Sequence, residues 1–194
     1  MITVSTSKIA ARAYHHGDLR SALVEAGLEA LKTTAIADMS LRQLARDVGV
    51  SATAVYRHFP DKQALMRALA VEGVEQLGRF QKAEADGTEN QAEAFAATGR
   101  AYVRFALAHP ALFRLAFSQN EPVGETVFGE NLAAQMLQDK AALATGGDPT
   151  ETRRLMIQAW SVVHGLAMLM LDKQLPTDDA LINSVIDPAT LFPR

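Results

Sequence analysis

Apolar residues recur along this chain at intervals of three and four, and strand-like alternation is rare, so the pattern predicts an all-α protein. A first helix opening at Gly17 or Asp18 puts Leu19, Leu23, Ala26, Ala30 and Leu31 on one face, and Ile36 and Met39 close the same core. Leu41, Leu44, Ala45 and Val48 then share one face of a short second helix. Ser40 and Gln43 have the spacing of a capping box at its start, and Gly49 can take the positive φ that ends it. Val50 plugs the corner and Ser51 caps a third helix. That helix turns Val55 and Phe59 inward and leaves Ala52, Thr53, Tyr56 and Arg57 outward. Two short helices about a glycine turn form a helix-turn-helix, and the second of the pair is shaped to enter a DNA major groove.

Beyond this head, Asp61 caps a fourth helix expected over 62–82, with Leu65, Met66, Leu69 and Leu77 on its buried side. It joins the head to the rest of the chain and is expected to carry movement between them. A break at 85–90 follows, then helices over 91–108, 111–117, 125–144, 150–171 and 178–186, punctuated by Gly and Pro. Pro110, directly after His109, suits the first turn of the helix over 111–117. The stretch 150–171 is the most apolar, with Leu155, Ile157, Trp160, Val163, Leu166 and Met168 through Leu171. A helix of this kind is either buried in one subunit or shared with a partner. For so small a body the expectation is a homodimer through the last two helices. The predicted architecture is an N-terminal three-helix head at 14–62 and a C-terminal helical sensing and dimerisation domain at 63–194, with 62–82 as the connector.

Composition narrows the classes. At 194 residues and 48% hydrophobic content, the chain can fold a head and a modest second domain. It has no cysteine, so disulfides, thiolate nucleophiles and cysteine metal sites are excluded. His15 and His16 are adjacent but have no third ligand at short spacing, so no metal is expected. No phosphate loop, His-Glu-x-x-His or Gly-x-Ser-x-Gly motif is present, and neither an enzyme nor a cofactor is expected. No segment reads as both long and charge-free enough to span a membrane, which makes the cytoplasm the expected location.

Charge is unevenly divided. Residues 1–70 hold 9 Lys+Arg against 6 Asp+Glu, while residues 71–194 hold 10 against 16. A basic head and an acidic body fit a DNA-reading domain attached to something else. The segment from Gly27 to about Leu69 resembles the DNA-binding domain of the TetR family of bacterial transcriptional regulators. The resemblance rests on Ser40-Leu41-Arg42-Gln43-Leu44-Ala45, on Gly49-Val50-Ser51, and on Tyr56-Arg57-His58-Phe59 with Lys62 and Leu65. The family often has glycine or proline where this chain has Thr53, and threonine or serine where it has Ala54. The base contacts of relatives therefore do not transfer directly.

On this reading Arg42, Gln43, Ala52, Thr53, Ala54, Tyr56 and Arg57 lie at base edges or in the groove, with double-stranded DNA as the partner. Ser40, Tyr56, His58 and Lys62 are expected at phosphates. Lys62 opposes the dipole of its own helix and reads as a phosphate ligand rather than a stabilising residue. In the family the start of the first helix faces the DNA backbone, which adds His16 and Arg20. Residues 1–14 form either a mobile arm or an arm laid in the minor groove.

In the body, His109-Pro110-Ala111-Leu112-Phe113-Arg114-Leu115 and Trp160-Ser161-Val162-Val163-His164-Gly165-Leu166 resemble the ligand-sensing domain of the TetR-family branch with a Trp-His-Gly segment. Gly165 permits close helix approach. His164 is either a satisfied core histidine or, with Trp160, part of a pocket walled by Phe95, Tyr102, Phe105, Phe117, Phe128 and Met136. Few charges fall on these faces, so the expected effector is small and mostly apolar or aromatic. The function expected is a homodimeric repressor released from a palindromic operator by that effector. An activator of the same architecture and an architectural DNA binder without ligand control are the alternatives.

Overall fold

The computed structural model describes residues 19–88, 90–118 and 130–188, and those residues contain helices and no strands. The helices are α1 (Leu19–Ala30), α2 (Leu41–Val48), α3 (Ala52–His58), α4 (Lys62–Ala85), α5 (Gln91–Ala108), α6 (Pro110–Ser118), α7 (Leu132–Ala144), α8 (Pro149–Leu171) and α9 (Asp179–Val185), with a 3₁₀ turn at Ile36–Asp38. The chain divides into two compact units between Leu65 and Met66, within α4.

The first unit is a three-helix head in which α2 packs on both α1 and α3. Its core is Leu23, Leu31, Met39, Leu41, Leu44, Val55, Phe59 and Leu65, all buried. The α2–α3 turn has the geometry expected of its sequence. Gly49 sits at φ +78°, its N–H bonds to the Arg46 carbonyl at 3.1 Å, and the Val50 N–H bonds to the Ala45 carbonyl at 2.9 Å. Ser51 Oγ then accepts from the Ala54 N–H at 3.2 Å, and Asp61 Oδ1 accepts from the Ala64 N–H at 2.7 Å. The expected capping box at Ser40 does not form, because Gln43 turns along the helix instead of back to its start. Its Nε2 donates to Asp47 at 2.7 Å and its Oε1 accepts from Arg46.

The second unit is built around α5, which packs against α6, α7, α8 and α9. Alanines at 94, 96, 97, 101 and 106 are buried along it, and small side chains of this kind let neighbouring helices approach closely. Side-chain caps begin most of the helices: Asn90 for α5, Asn131 for α7, Asp148 for α8 and Asp178 for α9. Arg104 on α5 grips Asp179 on α9 with two bonds of 2.8 and 2.9 Å, which holds the last helix against the central one.

Two expectations need correction. The helix predicted over 125–144 begins, in its described part, at Leu132, because Asn131 adopts an extended backbone and caps it. Residues 125–129 and Phe128 lie outside the described residues. The helix Pro149–Leu171 is, by length and composition, long and apolar enough to cross a membrane, contrary to the sequence reading. Its apolar residues are divided between two faces. Met156, Ala159, Val163, Leu166, Ala167 and Met170 are buried, whereas Ile157, Val162 and Leu169 are 43%, 36% and 46% exposed.

Candidate nucleic-acid interface and body cavity

The short α3 is held by two inward side chains, Val55 and Phe59, which are 0% and 1% exposed. Its helical period therefore turns Thr53, Tyr56, Arg57 and His58 to solvent, with Ala52 and Ala54 half-buried between them. Arg42, Arg57 and His58 make no side-chain hydrogen bond or ion pair within the described residues, so their donors are open. Gln43 is different, since both ends of its amide are taken by Arg46 and Asp47. To read a base it must give up a bond on its own helix.

Three further predicted positions have local roles. Lys62 Nζ donates to the Ala37 carbonyl at 2.6 Å, tying the 3₁₀ turn to the start of α4. Lys62 thus has a local role in the head, which the sequence reading did not give it. The Arg20 guanidinium lies 5.4 Å from the centre of the Phe59 ring, a cation–π contact on the head core. Ser40 is exposed and makes no side-chain cap bond. His16 lies outside the described residues.

The body holds an apolar cavity of about 60 Å³. Val74, Leu77 and Gln81 from α4 form one wall, Phe95, Thr98, Gly99 and Tyr102 from α5 another, and Phe117 from α6 an edge. Met136 and Leu137 from α7 and Ala159, Trp160 and Val163 from α8 complete it, beside Ala133 and Ala134. No lining residue is charged. A larger hollow of about 320 Å³ lies near Thr88, Asn90 and Lys140. It is rimmed by exposed Leu143 and Ala144 and has the character of a surface groove.

Of the predicted pocket residues, the fold brings Phe95, Tyr102, Phe117, Met136 and Trp160 to the cavity. Phe105 is elsewhere, buried against the rings of Phe80 and His109 at 6.2 and 4.8 Å. On a helix of about 3.6 residues per turn it points about 80° away from Phe95. His164 stands one turn beyond Trp160, behind the wall rather than in it. Its Nδ1 lies 2.9 Å from Tyr102 Oη, and Trp160 Nε1 donates to that same oxygen at 3.3 Å.

One arrangement of protons makes both hydrogen bonds of this trio at once. Tyr102 accepts from Trp160 and gives its own proton to His164 Nδ1, which leaves the His164 proton on Nε2. Burial pushes the Tyr102 hydroxyl well above the usual phenol range, with the Trp160 hydrogen bond opposing that shift. Burial also holds the His164 imidazole below its ordinary value, so it is neutral and able to accept. The rings of Phe113 and Phe117 lie 5.7 and 5.3 Å from His164 and complete its surroundings.

Sequence reasoning missed Gln81 and Thr98. The available signal was a lone polar residue on an otherwise apolar helical face: Gln81 follows Leu77 by one turn, and Thr98 interrupts a run of alanines. Gln81 Nε2 donates to the Thr98 carbonyl at 3.0 Å. Gly165, read as a point of close approach, has open space where a Cβ would stand, with nothing within 4 Å.

A helix-turn-helix head with Arg57 open on its outer helix, in a chain whose helical body contains an uncharged cavity, has the make-up of a DNA-binding regulator. The chain belongs to the TetR family of bacterial transcriptional regulators, which are DNA-binding proteins and not enzymes. Residues 23–69 match the family model for bacterial regulatory proteins of the tetR family, and residues 95–187 match that of the tetracyclin repressor-like C-terminal domain. No curated protein matches the chain significantly.

Among solved structures, a protein of unknown function from Rhodococcus sp. RHA1 is 30% identical with a TM-score of 0.76, covering 93% of this chain and 96% of that one. A transcriptional regulator of the TetR/AcrR family from Thermobifida fusca YX-ER1 is 18% identical with a TM-score of 0.64, covering 91% and 98%. A tetR-family transcriptional regulator from Streptomyces coelicolor is 19% identical with a TM-score of 0.55, covering 89% and 79%. At these identities the last two speak to the fold alone.

Proposed function

We propose that the protein is a cytoplasmic homodimeric repressor, released from a palindromic operator by a small, mostly apolar effector bound in the body cavity. The observation that carries this reading is the cavity itself, uncharged and walled by Phe95, Tyr102, Phe117, Met136 and Trp160. Apolar walls with a few placed polar atoms are the usual make-up of a small-molecule site. The connector α4 contributes Val74, Leu77 and Gln81 to those walls and starts at the head with Lys62. An effector that prefers one position of α4 over another thereby biases the head, provided it binds the two states unequally.

Dimerisation through α8 and α9 is supported by Val162 and Leu169, which share one exposed line of α8, together with exposed Ile157 and Val185. Gly165 lies on the same helix with open space before it, so a partner helix can come close there. The dimer supplies two readers for two half-sites one helical turn apart. In the head, Arg42, Thr53, Ala54, Tyr56 and Arg57 read the groove, while His58 and the arm-side residues His16 and Arg20 hold phosphates.

The test is release of a bound duplex. Wild-type protein on its operator should dissociate when small apolar compounds from the host are added. An Ala134→Phe variant, which fills the cavity, should bind the duplex and ignore them. Equal release from both proteins would remove the cavity from the account.

A further inference from the structure

Among the described residues, one buried side-chain polar atom lacks a hydrogen-bond partner, and it belongs to a cavity wall: Gln81 Oε1. Its amide orientation is not free to change. Nε2 donates to the Thr98 carbonyl at 3.0 Å, an acceptor, so the other end of the amide must be the oxygen. The other side-chain polar atoms near the cavity each have a partner. The Thr98 hydroxyl donates to the Phe95 carbonyl at 2.6 Å, and Trp160 Nε1 donates to Tyr102 Oη at 3.3 Å. The cavity therefore offers an incoming molecule one buried acceptor with no partner, Gln81 Oε1, and no charge. A buried acceptor left unmade is unfavourable, and a ligand that supplies the missing donor gains by relieving it.

We infer that the effector is a neutral single-ring compound carrying an O–H or N–H group, and that Gln81 Oε1 is the atom that recognises this donor. The inference rests on the proposal that the cavity is the effector site. Its ring is set by the aromatic walls, and the volume of about 60 Å³ limits it to one ring, which the adaptable Met136 side chain must shift to admit. Neutrality follows from the lining, since an anion meets an acceptor and no cation, and a cation meets no carboxylate. A ring bearing only an ether or carbonyl oxygen fills the same space but leaves Gln81 unpaired. Discrimination between the two kinds is expected to be about tenfold, the usual consequence of one buried hydrogen bond made or missed.

Trp160 is the chain's one tryptophan and stands in the wall, so its emission reports on occupancy. Phenol, anisole and toluene are titrated into the full-length protein, with calorimetry alongside. Phenol is expected to bind about tenfold more tightly than anisole or toluene. Gln81→Leu and the straighter Gln81→Met are expected to bring phenol down to the level of toluene, with toluene unchanged. Both variants should melt close to wild type, since each removes an unpaired buried acceptor together with one hydrogen bond to the Thr98 carbonyl. Equal binding of all three probes to wild type, or a phenol preference that survives in both variants, overturns the inference and leaves the cavity as an effector site. If none of the probes changes Trp160 emission, the effector-site reading falls as well.

Discussion

Replacing Tyr102 with phenylalanine isolates a single oxygen at the centre of the body. The ring stays in place against Phe113, with centroids 5.4 Å apart, so packing is retained. Two partners are lost: Trp160 Nε1–H at 3.3 Å and His164 Nδ1 at 2.9 Å. A buried polar group left unpaired costs about 1–3 kcal/mol. Trp160 and His164 are only half-buried and one of the bonds is long, so water can repair part of the loss. The expected destabilisation is about 1–2 kcal/mol, or a Tm lower by about 2–8 °C for a chain of this length.

The same change has a second readout. A phenol O–H donated to Nδ1 favours neutral His164, so its removal should raise the histidine pKa toward the ordinary value, while burial continues to hold it below. The linkage sign follows from the depressed value in the folded protein. The stability contributed is complete above the unfolded pKa of about 6.5 and is lost as the pH falls through the lower folded value. Tyr102→Phe should therefore weaken the acid-side loss of stability. Thermal melts between pH 5 and 8 and an NMR titration of the imidazole measure both effects. A variant as stable as wild type, with an unchanged His164 titration, would refute the hydrogen-bonded trio.

Gly78→Ala puts a Cβ 2.9 Å from the backbone nitrogen of Ala133, which cannot move as a side-chain tip can. It should cost about 1–3 kcal/mol by denaturant unfolding, whereas Gly165→Ala should leave a monomeric form unaffected. Leu169→Glu places a charge on the exposed stripe of α8 and is expected to shift the protein toward monomer in sedimentation, with loss of operator affinity. Arg57→Ala removes an open cation from the outer helix of the head. If that residue contacts a phosphate, affinity falls equally for all duplexes and the salt slope drops by about 1. If it contacts a base, discrimination at one position relaxes instead.

The head was the more legible part of the chain because its signals are local. Gly49, Ser51 and Asp61 each act on backbone within four residues, and the sequence names all three. Even there Ser40 and Gln43 misled, since Arg46 and Asp47 compete for the same glutamine amide and win. The body's helices over 91–108 and 150–171 followed from periodicity, but the interior between them depends on rotation. Phe95 and Phe105 look equivalent in sequence, yet α5 turns one to the cavity and the other to Phe80. Gln81 was invisible for the opposite reason. A glutamine on a helix usually points to solvent, and its burial depends on α5 lying across α4 with the Thr98 carbonyl in reach. The charge-free run of 155–171 likewise could not reveal that Ile157, Val162 and Leu169 face outward.

The central claim is that this regulator reads one two-fold DNA sequence as a dimer. Full-length protein is incubated with a library of random duplexes at physiological salt, and the bound fraction is sequenced. A single palindromic motif is expected, with half-site centres about one helical turn apart. Loss of the motif in Leu169→Glu would tie it to the α8 stripe. Enrichment of a single unrepeated half-site, or no enrichment above non-specific binding, would contradict it.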